Sequence, residues 1–245
     1  LMFFIYRLLT NLIFIFSPII ILIRLLKKKE HPTRFKEKFG IYTKKKLEGK
    51  LIWFHGASVG EILSIIPLIE KLEKKNNIKQ ILVTSNTLSS STILSNLKLK
   101  KTIHQFFPID TVYHTNKFLR YWKPSMAIFI DSEIWPNMIN NIKKQSATLI
   151  LINARITNKS FKRWKIFNLS AKHIFQKFDI CFSSNLKSKN FLKSLGAKKI
   201  RYIGNLKFSQ TEKDEHQISI KQKKFFYSKN IWCSSSTHNS EEILI

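Results

Sequence analysis

The 245-residue sequence predicts an α/β domain with a parallel β-sheet, preceded by a membrane-anchor helix. A strongly apolar segment lies at the N-terminus, and short apolar segments alternate with helical patterns from residue 51 onward. Only 6 Gly and 6 Pro occur, which excludes collagen-like and low-complexity chains. Apolar strands that alternate with helices are typical of a parallel sheet covered on both faces.

The N-terminal segment has the composition of a membrane helix. Residues 8–23 are almost entirely apolar, and a lysine-rich segment follows them instead of a small-residue cleavage site. A bilayer span needs about 20 mostly apolar residues. We therefore predict a membrane anchor over 1–26, kinked at Pro18, and a basic juxtamembrane segment over 27–50 that keeps the rest of the chain cytoplasmic. The alternative is a buried helix of a soluble domain.

Seven apolar segments predict the strands: 51–54, 81–84, 102–107, 126–130, 148–152, 179–182 and 200–203. Apolar spacing predicts helices over 61–74, 134–145, 159–177 and 185–195, with a loop and a helix between 85 and 99. Ligands bind beyond the carboxyl ends of parallel strands. The candidate loops are therefore 55–60, 85–91, 108–111, 131–137, 153–158 and 204–209.

Composition changes twice in the C-terminal quarter of the chain. Residues 51–208 are predicted as one domain, and the polar, charged residues 209–229 as a linker. Residues 230–245 begin a new strand–loop–helix unit, which cannot bury its faces alone. We expect them to be the incomplete start of a second, C-terminal α/β domain.

The net charge indicates an anionic partner. Lys and Arg number 43 and Asp and Glu 15, which gives a formal net charge of +28. Nucleic acid, an acidic membrane surface and a phosphorylated substrate all fit this excess. The two cysteines, far apart in sequence, predict neither a disulfide framework nor a zinc site.

The segment HGASVGE at 55–61 is the most distinctive candidate site. Gly56 and Gly60 flank a strand-to-helix turn that also contains Ser58, and Glu61 falls in the first helical turn. The helix dipole favours an ionised Glu61 that can accept a proton, and the N–H groups of the turn can hold an anion. The alternative is an ordinary βα turn with a favourable glutamate.

A second pair of carboxylates follows the fourth strand. Asp131 and Glu133, within DSEIWPN, suit acid–base chemistry or hydroxyl recognition. In the alternative, Asp131 or Ser132 caps the next helix and Pro136 lies in its first turn.

Polar residues also follow later strands. Arg155 and Lys207 could each meet a phosphate or a carboxylate, although a solvated side chain is the simpler interpretation of a single lysine. A hydroxyl-rich segment near the C-terminus resembles a phosphate loop at a helix start. The remaining candidate binding residues are Asn153, Asn205, Ser236, Thr237, His238 and Glu241.

The order of these motifs is more specific than any one of them. HGASVGE, DSEIWPN, NAR, LGA, GNLKF and STHxxEE follow one another along nearly the whole chain. This order resembles the 3-deoxy-D-manno-octulosonic acid (Kdo) transferases of lipopolysaccharide synthesis. The resemblance implies a GT-B glycosyltransferase with two Rossmann-like domains, in which 51–208 receives the acceptor and 230–245 begins the donor-binding domain.

The resemblance also implies a reaction and its residues. Kdo would move with inversion from CMP-Kdo to the lipid A precursor (lipid IVA), without a cofactor or a bound metal. Glu61 would be the general base, and Asp131 and Lys207 would support the transition state. The family usually has Glu where this sequence has Asp131, and this sequence has Asn239 and Ser240 where a Gly of the family often precedes the pair of glutamates.

The implied partners are CMP-Kdo, the lipid A precursor and an anionic membrane surface, with no nucleic acid. The implied location is the cytoplasmic face of the bacterial inner membrane. One alternative is a membrane-associated GT-B transferase that uses another nucleotide sugar, because the fold alone does not select the donor. The other, a basic nucleic-acid-binding protein, is suggested only by the charge.

Overall fold

The computed structural model describes residues 2–207 together with residues 225, 227 and 228. The chain divides into two compact units, Leu1–Gln210 and Thr211–Ile245. Apart from residues 225, 227 and 228, the linker predicted over 209–229 and the second domain predicted from 230 lie outside the described residues. Those two boundaries therefore stay predictions.

A seven-stranded parallel sheet lies at the centre of the first unit. Its strand order is β3-β2-β1-β4-β5-β6-β7. The order reverses at β1, which pairs with β2 on one side and with β4 on the other. The strands are β1 Leu51–His55, β2 Gln80–Ser85, β3 Thr102–Phe106, β4 Met126–Ile130, β5 Thr148–Ala154, β6 Ile180–Ser183 and β7 Ile200–Tyr202. The predicted parallel sheet is confirmed.

α-Helices and the 3-10 helix Arg34–Phe39 surround the sheet. The helices are α1 Met2–Leu26, α2 Val59–Glu73, α3 Leu88–Asn96, α4 Val112–Trp122, α5 Pro136–Lys144, α6 Asn158–Ile166, α7 Asn168–Phe175 and α8 Leu186–Ser194.

Successive side chains of a strand point to opposite faces, so a parallel sheet needs two cores. Leu51 and Trp53 of β1 pack with α4, α5, α7 and α8 on one face. Ile52 and Phe54 pack with α2 and α3 on the other.

Two helix predictions differ from the structure. The single helix predicted over 159–177 is wrong, because α6 and α7 are separated at Phe167, whose backbone leaves the helical region. No helix was predicted over α4. Its buried face includes His114 and Thr115 beside Phe118, and these polar residues interrupt the apolar period of the sequence.

Helix α1 is continuous through Pro18 and is long and apolar enough to cross a membrane. Only Thr10, Ser17 and Ile21 are buried along it. Within the described residues, α1 is therefore not a buried core helix. The side of α1 that carries these buried residues contacts the domain. On this helix the Tyr6 hydroxyl donates to Asp110 Oδ2 at 2.6 Å.

Candidate active site

The candidate site lies where the strand order reverses. Strands β1 and β4 are neighbours, and their carboxyl ends lead into the turns 56–58 and 131–135. The following helices diverge, because α2 packs on one face of the sheet and α5 packs on the other. In open α/β sheets, ligands usually bind at the carboxyl edge where neighbouring helices diverge in this way.

The β1–α2 turn is close-packed at its first glycine. A Cβ atom on Gly56 would lie 3.0 Å from Ile130 Cδ1 and 3.2 Å from Glu61 Cβ. A Cβ atom on Gly60 would lie 3.6 Å from Lys207 Nζ, an ordinary contact distance. A side chain at Gly56 would therefore press on its neighbours, whereas the Lys207 ammonium group lies close to Gly60 at the start of α2.

Glu61 is fixed by reciprocal helix capping. Ser58 is the N-cap of α2, and its Oγ accepts from the Glu61 N–H at 3.4 Å. In return, the Ser58 hydroxyl donates to Glu61 Oε1 at 2.9 Å, and the Ala57 N–H donates to Oε2 at 2.7 Å. This arrangement is a variant of the capping box, so the favourable helix-start glutamate of the alternative interpretation is present.

The surroundings of Glu61 also change its basicity. Burial raises the pKa of Glu61, and the charges of Glu133 and Asp131 raise it further, against the donors Ser58 and Ala57. The dipole of α2 was expected to favour the ionised form, but burial and the neighbouring carboxylates prevail. A raised pKa makes Glu61 a stronger base than an exposed glutamate.

Asp131 follows β4 in the left-handed region, with φ at +58°. Its N–H donates to the Ile152 carbonyl at 2.9 Å, and the N-cap of α5 is Trp135. The interpretation of Asp131 or Ser132 as the helix cap is therefore wrong. Burial raises the pKa of Asp131, and nearby Lys207 and Arg155 only partly offset this.

Glu133 belongs to a buried group that sequence analysis missed. Glu133 Oε2 lies 3.3 Å from His55 Nε2 and accepts from the Trp135 indole at 2.8 Å. His55 is fully buried and stacks on Phe107, with 3.8 Å between ring centroids. Although burial alone would raise the pKa of Glu133, His55 and Trp135 lower it overall.

The other ring nitrogen of His55, Nδ1, also lies within hydrogen-bond distance of polar atoms. His55 Nδ1 lies 3.0 Å from Thr84 Oγ1 and 3.3 Å from the Thr84 carbonyl oxygen. A fixed ring orientation of this kind aims Nε2 at Glu133. The one sequence signal was the position of His55 as the first residue of HGASVGE, directly before the turn.

The segment after β7 returns to this site across the sheet edge, although β7 is four strands away from β1. Gly204, with φ at +82°, turns the chain. The buried Asn153 accepts from the Leu206 N–H at 3.0 Å, and Asn205 accepts from the Lys207 N–H at 3.1 Å. These contacts explain how Lys207 reaches both Gly60 and Asp131.

The fold thus brings most predicted residues to one edge of the sheet. Glu61, Asp131 and Glu133 interact with one another electrostatically, and Lys207 and the exposed Arg155 act on Asp131. Within the described residues, these carboxylates and the histidines are not arranged as a metal-binding group. Four predicted binding residues lie outside the described residues: Ser236, Thr237, His238 and Glu241.

Comparison with known proteins identifies the family. The family model described as 3-deoxy-D-manno-octulosonic-acid transferase (kdotransferase) matches residues 33–210. This chain belongs to the Kdo transferase family. The family resemblance predicted from the motif order is confirmed.

Curated Kdo transferases align with most of the chain. A 3-deoxy-D-manno-octulosonic acid transferase of Rickettsia bellii is 38% identical over 247 residues, which cover 98% of this chain and 58% of that protein. The 3-deoxy-D-manno-octulosonic acid transferase of Rickettsia prowazekii is 38% identical over 205 residues, which cover 80% of this chain and 42% of that protein. The chain therefore spans only part of the length of these Kdo transferases.

Solved structures support the fold alone. A structure from Listeria monocytogenes described as a UDP-N-acetylglucosamine 2-epimerase aligns with a TM-score of 0.50 and 15% identity, covering 69% of this chain and 50% of that one. Together with the parallel sheet and the family match, this likeness confirms the predicted GT-B fold class.

Proposed function

We propose that this chain is the acceptor-binding part of an inverting glycosyltransferase that moves Kdo from CMP-Kdo to lipid IVA in lipopolysaccharide biosynthesis. One observation carries the proposal. Glu61 stands at the carboxyl edge of the sheet with a raised pKa, beside two carboxylates and close to the Lys207 ammonium group. A base, a second anion and a cation at one sheet edge suit group transfer between a hydroxyl and a phosphate-activated sugar.

Glu61 removes a proton from a glucosamine hydroxyl of the acceptor. The hydroxyl oxygen attacks the anomeric carbon of Kdo, and CMP leaves from the opposite side with the bonding electrons. Burial and the charge of Glu133 strengthen the base. The Ser58 and Ala57 donors hold its carboxylate in one orientation.

Lys207 stabilises the negative charge that grows on the leaving phosphate, or the carboxylate of Kdo. Asp131 orients the acceptor or offsets the positive charge that develops at the sugar. The charge of Lys207 acts on Asp131, which supports a shared role. Asp131 is one methylene shorter than the usual glutamate of the family, and its left-handed backbone sets where the shorter side chain begins.

Donor binding completes the proposal. Ser236, Thr237, His238 and Glu241 are proposed to hold CMP-Kdo, and Arg155, Asn153 and Asn205 to line the acceptor side. No cofactor or metal is part of the proposed reaction.

The proposed location is the cytoplasmic face of the bacterial inner membrane. Helix α1 exposes apolar side chains along most of its length, and the basic segment 27–50 follows it. Each lysine or arginine near an anionic bilayer gains about 1 kcal/mol. An anchor of this kind would hold the site beside a lipid acceptor.

Replacing Glu61 tests the proposal. In the full-length protein, Glu61→Gln should lower Kdo transfer to lipid IVA by about 10²–10⁴-fold, because it removes the base. Glutamine is accepted at this capping position, so the fold should persist. Glu70→Gln on the same helix is the matched control. Near-normal Kdo transfer by Glu61→Gln would refute the assignment of Glu61 as the general base. Transfer by the unmodified protein from UDP-sugars instead of CMP-Kdo would favour the alternative of another nucleotide-sugar donor.

A further inference from the structure

An open cavity lies between α1 and the carboxyl edge of the sheet. Its volume of about 300 Å³ is at the lower end of the range of small-molecule sites. Its apolar walls include Ile13 from α1, Phe107 and Ile109 from the segment after β3, and Trp135 at the start of α5.

Two residues that line the cavity, Trp135 and Phe107, directly contact residues of the candidate active site. The Trp135 indole donates to Glu133 at 2.8 Å, and the Phe107 ring stacks on His55. Glu133 in turn raises the pKa of Glu61. A molecule in the cavity would therefore lie one side chain away from the carboxylate cluster.

Specific contacts hold α1 in place over the cavity. The Tyr6 hydroxyl donates to Asp110, whose carboxylate also accepts the N–H groups of Asn137 and Met138 at the start of α5. Further along α1, Phe14 packs on His114 at 4.7 Å. The Tyr6–Asp110 contact ties α1 to α5, the helix that follows the Asp131–Trp135 turn.

The cavity also has a cationic side. Arg24 and Lys38 line it, and both pair with the single buried carboxylate of Glu30, at 3.0 Å and 2.5 Å. Asp110 also lines the cavity, but its carboxylate already accepts from Tyr6 and from two N–H groups of α5, which leaves Arg24 and Lys38 as the cations beside the apolar walls. This combination favours an anionic amphiphile over a purely apolar or a purely polar ligand.

We propose that this cavity binds a fatty acyl chain of the acceptor, with an acceptor phosphate close to Arg24 and Lys38. The inference rests on the proposed function and extends it, because α1 becomes a wall of the acceptor site as well as an anchor. The apolar residues on the outer face of α1 offer a path from lipid to the cavity.

Photolabelling tests the inference without relying on catalysis. The probe is an acylated glucosamine phosphate with a diazirine in its acyl chain, added to the full-length protein in phosphatidylcholine nanodiscs. We expect adducts on the peptides that contain Phe107, Ile109 and Trp135. Ile13→Trp and Ile109→Trp should each lower these adducts about tenfold, the loss expected when roughly two methylene groups are kept out.

Ile15→Trp is the matched control, because Ile15 is 64% exposed on α1 and does not line the cavity. Its adducts should equal those of the unmodified protein, and a probe without phosphate should label the cavity more weakly. Adducts only on the outer face of α1, or equal labelling in all three variants, would overturn the inference. Equal labelling by the phosphate-free probe would overturn the phosphate assignment.

Kinetics separate this inference from the proposed function. The two cavity-filling variants should raise KM for the acylated acceptor and leave KM for its deacylated form unchanged. An unmodified protein that transfers Kdo to neither acceptor would contradict the proposed function. Transfer with an unchanged KM in both variants would contradict the cavity assignment alone.

Discussion

The two strand-to-helix turns of the candidate site hold their glutamates in opposite ways. Glu61, in the β1–α2 turn, is bound by a hydroxyl and a backbone N–H, and its pKa is raised. Glu133, in the β4–α5 turn, is bound by a buried imidazole and an indole, and its pKa is lowered. Neighbouring carboxylates whose pKa values are pushed apart can divide the roles of base and fixed anion.

The largest expected effect comes from removing the partner of the fixed anion. His55→Ala should destabilise the full-length protein by about 3 kcal/mol, because it leaves the mostly buried Glu133 with the Trp135 indole as its one remaining named partner and removes a stacked ring. Denaturant unfolding measures the change. The double variant His55→Ala with Glu133→Gln should recover part of the lost stability, because it removes the buried carboxylate. A double variant no more stable than His55→Ala would show that the two residues are not coupled.

The two glycines of the other turn should differ in their tolerance of a side chain. Gly56→Ala should cost about 2 kcal/mol, since its Cβ would press on Ile130 and Glu61. Gly60→Ala is the control and should be neutral or slightly stabilising within the helix. Thermal unfolding of both variants measures the losses, and equal losses would mean that close packing does not distinguish Gly56 from Gly60.

A smaller effect is expected at the cap of α2. Ser58→Ala should cost about 1 kcal/mol of stability through the lost cap. It should also raise the pKa of Glu61 further, because the Ser58 donor lowers that pKa. A threonine at this position keeps the hydroxyl and serves as the control. An unchanged Glu61 pKa in Ser58→Ala would show that the capping contact does not tune the base.

The smallest effect concerns the cation between the turns. Lys207→Met should raise the pKa of Asp131, because the lysine charge lowers it, and should leave stability nearly unchanged at this exposed position. NMR titration of the aspartate carboxyl carbons measures the shift. A lower Asp131 pKa in the variant would contradict the electrostatic interaction between Lys207 and Asp131.

The sequence alone predicted the strands of the sheet, but it predicted only part of the candidate site. Continuous apolar segments marked all seven strands, because both faces of a parallel sheet are buried. Motifs marked Glu61, Asp131 and Lys207, but the strand order that joins them depends on tertiary packing. His55 escaped notice because one histidine at a strand end has no periodic pattern, and its role appears only when β1 and β4 pair.

The central claim is that burial and the charge of Glu133 raise the pKa of Glu61 and so make it a stronger base. Titration of the Glu61 carboxyl carbon by NMR, assigned with Glu61→Gln, measures this without catalysis. The account predicts a midpoint above the ordinary glutamate value in the unmodified protein and a lower one in Glu133→Gln, because a like charge is removed. A midpoint at or below the ordinary value, or one that Glu133→Gln leaves in place, would contradict it.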